Sequence, residues 1–108
     1  MEIPAVSIPN KANEKSFCVL IPAYNPTAIL LKLVEELRNQ GIAVVVVNDG
    51  SDLEALPIFQ ELERKATLDA RLVVLHHHVN LGKGAALKTG LNDIAVHWPH
   101  YQGIVTAD

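Results

Sequence analysis

The sequence has little cysteine and no long hydrophobic run, and both absences exclude classes of protein. Cys18 is the only cysteine among 108 residues, so no disulfide can form within the chain. A lone thiol favours a reducing compartment, and we therefore expect a cytoplasmic protein. The longest apolar runs lie within FCVLIPAY and IAVVVV, and they are far shorter than the ~20 residues that a membrane-spanning helix needs.

Strong charge of either sign is also lacking. The formal net charge is −3 and no basic run occurs, which argues against a nucleic-acid-binding protein. A hydrophobic fraction of 49% in 108 residues is normal for one soluble globular domain. Residues 1–16, which hold prolines and scattered charges, predict a flexible lead-in to a domain over residues 17–108.

Apolar runs and amphipathic segments alternate along the rest of the chain. Buried strands are predicted in SFCVLIP, IAVVVVND, RLVVLHH and QGIVTAD, because each is a short apolar run bounded by polar or turn-forming residues. Helices are predicted in the three segments between them. Such alternation implies parallel strands joined by right-handed crossovers. We therefore predict an α/β fold, a three-layer α/β/α Rossmann-like domain with a mostly parallel sheet of about four strands.

Each predicted helix has one apolar face. The first carries apolar residues at i, i+3, i+4 and i+7, namely Leu30, Leu33, Val34 and Leu37. The second is expected to begin near Ala55 or Leu56, because Pro57 lies too deep for a helix that begins at Ser51. The third has Gly90 for close approach to the sheet, and an apolar side formed by Leu87, Leu91, Ile94 and Trp98.

Polar residues and glycines follow every predicted strand. The carboxyl ends of parallel strands share one rim, where ligands bind near the point at which strand order reverses. Gly82 and Gly84 would leave backbone N–H groups open to an anion at a helix start, and Lys83 adds a positive charge. Tyr24 offers a ring face for stacking, and Asp108 is a hard oxygen ligand suited to Mg²⁺ or Mn²⁺. Together these groups indicate a nucleotide with a diphosphate.

Each motif alone has an ordinary structural explanation. NDGSD also fits a β–α turn with a helix cap. GKG does not match the phosphate-loop pattern, and no G-x-G-x-x-G follows the first strand. His76, His77 and His78 alternate faces in an extended segment, so we interpret them as surface residues at a strand end rather than zinc ligands. Cys18 lies in mid-strand and is expected to be a small buried hydrophobe.

The motifs in combination are more specific. CVLIPAYNP, VVVVNDGSD, HHHVNLGKGAALKTGL and GIVTAD, in that order, resemble the first half of family 2 glycosyltransferases of the GT-A fold. The NLGKGAALKTG stretch looks closest to the polyprenyl-phosphate sugar transferases, which include the dolichyl-phosphate type. The resemblance covers residues 17–108. It departs at Pro26, where many relatives of that type have glutamate.

The resemblance implies roles for particular residues. The Pro-x-Tyr-Asn motif and the aspartate after the second strand would hold the nucleoside, and a basic residue before the third helix would lie near the base or diphosphate. The last aspartate would match the first of an Asp-x-Asp motif, which holds ribose and a divalent ion, Mn²⁺ or Mg²⁺. The implied nucleotide-binding residues are Pro22, Ala23, Tyr24, Asn25, Asp49, Lys83 and Asp108, with Asp108 also binding the metal.

The resemblance further implies a UDP- or GDP-linked donor and inverting transfer of a hexose to an acceptor such as a polyprenyl phosphate. Because no catalytic residue of the family falls in this chain, we expect it to be the nucleotide-sugar-binding half, truncated at the Asp-x-Asp motif and inactive alone. The parent enzyme would be attached to the cytoplasmic face of a membrane. An open edge at the fourth strand predicts self-association.

Two other interpretations of the sequence differ in how well they fit these motifs. A non-catalytic sugar-nucleotide-binding or regulatory module would share the binding motifs. An unrelated α/β domain of the receiver type would need a cluster of carboxylates after the first strand, where this chain has PAYNP.

Overall fold

The computed structural model describes residues 17–101 and 103–107. Within these residues, four strands and three helices alternate, and a short 3₁₀ turn, Leu53–Ala55, precedes the second helix. The strands and helices are β1 (Phe17–Ala23), α1 (Ile29–Asn39), β2 (Ala43–Asp49), α2 (Leu56–Ala66), β3 (Leu72–His77), α3 (Lys83–His97) and β4 (Gly103–Thr106). Among these, no helix is long and apolar enough to cross a membrane.

The four strands form one parallel sheet in the order β3-β2-β1-β4. The chain moves outward from β1 through β2 to β3, and then returns to the opposite side of β1 to form β4. The strand order therefore reverses between β1 and β4. Since α1 and α2 pack on one face and α3 on the other, the predicted three-layer α/β/α fold is confirmed.

The face covered by α1 and α2 holds the larger part of the core. The four apolar residues predicted for the inner side of α1 are all buried there: Leu30, Leu33, Val34 and Leu37. Phe59 and Leu62 of α2 pack in the same cluster. The helix α2 begins at Leu56, as predicted, with Pro57 in its first turn, where the missing N–H of proline costs no hydrogen bond.

The other face of the sheet is covered by α3, which packs closely against it at Gly90. Gly90 contacts the sheet so closely that a Cβ atom there would lie 2.2 Å from Leu20 Cδ1, which confirms the predicted close approach. Ala86 and Ile94 are buried beside it. The predicted inner position of Leu91 is wrong, because its side chain is 44% exposed. The predicted inner positions of Leu87, Ile94 and Trp98 are confirmed, because Ile94 is buried and the other two pack partly buried against the same cluster.

Strand β4 lies at an edge of the sheet that the described residues form. The sequence predicts Ile104 and Val105 as the end of a buried strand. Val105 packs against the core, but Ile104 is 37% exposed, so the prediction is wrong for Ile104. Cys18, opposite Ile104 in the register, is fully buried, and burial raises the pKa of its thiol to about 11, as suits an inert apolar side chain.

Candidate functional site

A cleft of about 410 Å³ opens at the carboxyl ends of the strands, close to where the strand order reverses. The end of β1, the end of β2 and the loop between β3 and α3 form its walls. The lining residues are Pro22, Ala23, Tyr24, Asp49, Asn80, Gly82 and Lys83. This is the rim at which an open parallel sheet binds its ligands.

Most of the residues predicted to bind a nucleotide meet at this cleft. Those that line it are Pro22, Ala23, Tyr24, Asp49 and Lys83. Asn25 does not line it, and Asp108 lies outside the described residues. Asn80 and Gly82 line the cleft although the predicted set did not include them. Gly82 was predicted as part of an anion site at the start of a helix, and Asn80 was recognisable only as a polar residue after a strand.

Tyr24 and Lys83 are the two long side chains of the cleft. Tyr24 directly follows β1, and it is 51% exposed, so its ring is accessible to a planar group. Lys83 is the first residue of α3. The amino terminus of a helix has a partial positive charge, so the lysine and the helix attract an anion to the same place.

Asn25 joins the loops that follow β1 and β2. Its backbone N–H donates to Ser51 Oγ at 2.9 Å, and its side-chain amide donates to Asp52 Oδ2 and accepts from the Asp52 N–H. Its φ of 49° is in the left-handed region that asparagine tolerates. Asn25 thus stabilises the loops beside the cleft without lining it.

Asp49 is the one buried charged residue among those described, at 3% exposed. Its Oδ1 accepts hydrogen bonds from His77 Nδ1 at 2.8 Å and from the Leu81 N–H at 2.9 Å. Its Oδ2 accepts from the Gly82 N–H at 2.9 Å and from Asn80 Nδ2 at 3.2 Å. Four donors fill the acceptor positions of a carboxylate.

These donors keep Asp49 ionised. The Leu81 N–H, more than any other group, lowers the pKa of the carboxyl below its usual value; burial opposes this, and His77 and the Gly82 N–H add to the lowering. A buried carboxylate accepting several N–H bonds is stable as the anion. The negative charge is therefore balanced within the protein and held under the loop of residues 80–82.

Gly50 lets that loop approach β2. Its φ is 69°, and a Cβ atom there would lie 2.1 Å from the Val79 carbonyl carbon and 2.3 Å from the Asn80 nitrogen. Any other residue would push the two loops apart. Asn80 Nδ2 also donates to the Asp49 carbonyl oxygen at 3.1 Å, which fixes the approach. The NDG turn is thus required for the packing of two loops as well as for the turn itself.

The predicted anion site at the start of α3 needs one correction. The Gly82 N–H is not open to a ligand, because it donates to Asp49. Gly84 lies in the first turn of α3, where backbone N–H groups have no acceptor within the helix. The space around Gly84 is open, since no atom lies within 4 Å of a Cβ built there.

The prediction that three adjacent histidines lie at the surface is wrong for His77. His76 and His78 are exposed, but the His77 side chain is only 10% exposed and is bonded through both ring nitrogens. The alternation of side chains along β3 could have predicted the burial of His77, because His77 lies on the same side of the strand as Val73 and Leu75, which pack toward α3.

The described part of the cleft does not suit a divalent cation. Its single carboxylate, Asp49, accepts four N–H donors, and Lys83 adds a positive charge. Among residues 17–101 and 103–107, no group of three or more histidine, cysteine or acidic residues could hold a metal ion. The metal prediction therefore depends on Asp108, outside the described residues.

Comparison with known proteins decides the family. The sequence profile described as Glycosyl transferase family 2 matches residues 18–95. The chain belongs to glycosyl transferase family 2. All lining residues of the cleft fall inside the matched segment, and Asp108 lies beyond it.

Two similar proteins come from Methanocaldococcus jannaschii, and both are described as uncharacterized. One is 30% identical over 89 residues, which cover 82% of this chain and 38% of the relative. The other is 29% identical over 100 residues, which cover 92% of this chain and 37% of the relative. The chain thus spans less than two-fifths of the length of either relative. No solved structure matches the chain.

Proposed function

We propose that the cleft binds the nucleoside diphosphate part of a nucleotide-sugar donor, UDP- or GDP-linked, from which a hexose is transferred with inversion. The observation that carries the proposal is the convergence of five residues predicted to bind a nucleotide on one cleft at the carboxyl ends of the strands. A family 2 glycosyltransferase needs a donor site, and this cleft of about 410 Å³ lies within the segment that matches the family.

The lining residues supply the chemistry that such a donor requires. The exposed Tyr24 ring would stack on the base, since base–aromatic stacking is worth about 1–3 kcal/mol. Pro22 and Ala23 supply an apolar wall beside it. Lys83 and the first turn of α3 would attract the diphosphate.

The remaining parts of the activity are proposed from the family resemblance. Mn²⁺ or Mg²⁺ would bind through Asp108 and not through the described cleft. We propose that this chain binds the donor but does not transfer the sugar alone, that the acceptor is a polyprenyl phosphate, and that transfer takes place at the cytoplasmic side of a membrane.

Calorimetric titration with UDP and GDP, each with and without Mn²⁺, tests the proposal. We expect one nucleotide to bind. Tyr24→Ala should weaken nucleotide binding about tenfold, because the stacking is lost. Tyr24→Phe keeps the ring and should bind the nucleotide as tightly as the wild type does. Lys83→Ala should weaken nucleotide binding as well. Lys88→Ala is the matched control, because Lys88 is also an exposed lysine of α3 but does not line the cleft.

Two outcomes would contradict the proposal. One is that a folded chain binds neither nucleotide under any of the four conditions. The other is that Lys83→Ala and Lys88→Ala have equal effects, which would mean that general charge and not the cleft attracts the nucleotide. Loss of binding in Asp108→Ala only when Mn²⁺ is present would support the metal role of Asp108.

A further inference from the structure

The carboxylate of Asp49 is held by a side chain that does not line the cleft. Three of its four donors belong to the loop of residues 80–82, and the fourth is His77 on β3. Asp49 and His77 are direct neighbours in the register of β2 and β3. The histidine therefore fixes the carboxylate from the rigid sheet, and the loop is held by the carboxylate.

His77 is itself fixed at its other nitrogen. Its Nε2 lies 2.8 Å from the hydroxyl oxygen of Thr89, in the second turn of α3. Since Nδ1 faces a carboxylate, it carries a proton, and the ring orientation is set by the partner of the opposite nitrogen. The chain of hydrogen bonds from Thr89 through His77 to Asp49 thus joins α3, β3 and β2.

We propose that His77 and Thr89 are positioning residues of the nucleotide cleft, because they fix Asp49 and Asp49 fixes the loop that leads into Lys83. This inference rests on the proposed function of the cleft. The terminal torsion of an aspartate has a broad minimum, so without His77 the carboxylate can rotate away from the two loop N–H groups. The loop and the start of α3 would then lose their fixed place relative to Tyr24.

The hydrogen bonds of Asp49 also limit its direct contact with a nucleotide. All four of its acceptor positions are taken by protein donors. A ribose hydroxyl or a base N–H would have to displace one of them. In the proposed arrangement, Asp49 would act on the nucleotide through the loop.

The test combines nucleotide binding with amide hydrogen exchange of the whole 108-residue chain. His77→Ala should weaken the binding of UDP or GDP about tenfold, as expected from loss of a charge-assisted hydrogen bond. Without nucleotide, the same variant should speed exchange of the Leu81 and Gly82 amide protons by at least about tenfold. His77→Asn places an amide N–H where Nδ1 lies, so it should restore much of both properties.

Thr89 supplies an independent variant that keeps the core filled. Thr89→Val removes the hydroxyl at nearly constant volume and should weaken binding, whereas Thr89→Ser keeps the hydroxyl and should not. His76→Ala is the matched control. His76 is the adjacent histidine of β3, but its ring contacts Glu63 and Asn48 on the other face of the sheet, so binding should be unchanged.

The outcomes separate the two proposals. If the folded wild-type chain binds no nucleotide, the proposed function fails and the positioning role fails with it. If the wild type binds the nucleotide, and both His77→Ala and Thr89→Val bind it as tightly as the wild type does, only the positioning role is overturned. Faster exchange of the loop amides with unchanged binding would overturn it too, because the loop would then be irrelevant to the nucleotide.

Discussion

Replacing Asp49 with asparagine tests how much of the stability depends on the buried carboxylate. The two side chains have the same shape, but asparagine has one acceptor oxygen and one NH₂ group. The NH₂ group must therefore face either the donors of Oδ1, which are His77 and Leu81, or the donors of Oδ2. The less costly choice faces Gly82 and Asn80, because Asn80 is exposed and its amide can turn to water.

The cost can be worked out from the donors left behind. Turning the NH₂ group toward Gly82 leaves one buried N–H without an acceptor, at about 1–3 kcal/mol. Loss of the charge also weakens the bonds from His77 and Leu81. We expect Asp49→Asn to lower the free energy of unfolding by about 2–4 kcal/mol, a large fraction of the 5–15 kcal/mol typical of a domain.

Urea unfolding at pH 7, followed by far-UV circular dichroism and by the fluorescence of Trp98, the only tryptophan, measures this change. A loss of that size corresponds to a midpoint shift of roughly 1–2 M. Asp52→Asn is the control, because Asp52 follows the same strand but is exposed, and it should change the free energy by less than about 0.5 kcal/mol. Equal effects of the two substitutions would refute the account of Asp49.

Three further predictions follow from the same structure. The pKa of Asp49 is lowered in the folded state, so its contribution to the free energy of unfolding is complete above the ordinary carboxyl pKa and is lost as pH falls through the folded-state pKa. The urea midpoints measured at pH 7 and pH 3 should therefore differ less in Asp49→Asn than in the wild type. Gly90→Ala should destabilise the protein by about 1 kcal/mol in thermal or urea unfolding, because overpacking against the buried Leu20 exceeds the gain in helix propensity, and a stabilised variant would contradict this. Self-association through β4 remains a prediction: sedimentation at high concentration should show oligomers that Ile104→Lys, at the sheet edge, reduces.

The fold and the place of the site could be predicted because they depend on local patterns. The spacing of Leu30, Leu33, Val34 and Leu37 fixes the inner side of α1 without knowledge of its partner. The position of polar residues after each strand brings Tyr24 and Lys83 to one rim in any parallel sheet. The close approach at Gly90 was predicted, but the exposed position of Leu91 was not, because the orientation of α3 depends on its contacts with Leu20 and other residues of the sheet.

The contacts of the polar side chains could not be predicted in the same way. The sequence places Asp49 at a strand end, but only the register of β2 and β3 and the approach of the loop at Gly50 decide that protein donors surround its carboxylate. Asn25 was predicted to bind a nucleotide for its place in a motif. In the structure its hydrogen-bonding groups contact Ser51 and Asp52.

The hydrogen bonds between Asp49 and the loop of residues 80–82 change how Asp49 variants must be interpreted. Loss of nucleotide binding in Asp49→Ala would follow from a direct contact, but it would follow equally from release of the Leu81 and Gly82 amides. Inorganic pyrophosphate separates the two causes, because it has no base or ribose for Asp49 to contact. If Asp49 acts through the loop and Lys83, its loss weakens pyrophosphate and nucleotide by the same factor. If it binds the nucleoside directly, only the nucleotide is weakened.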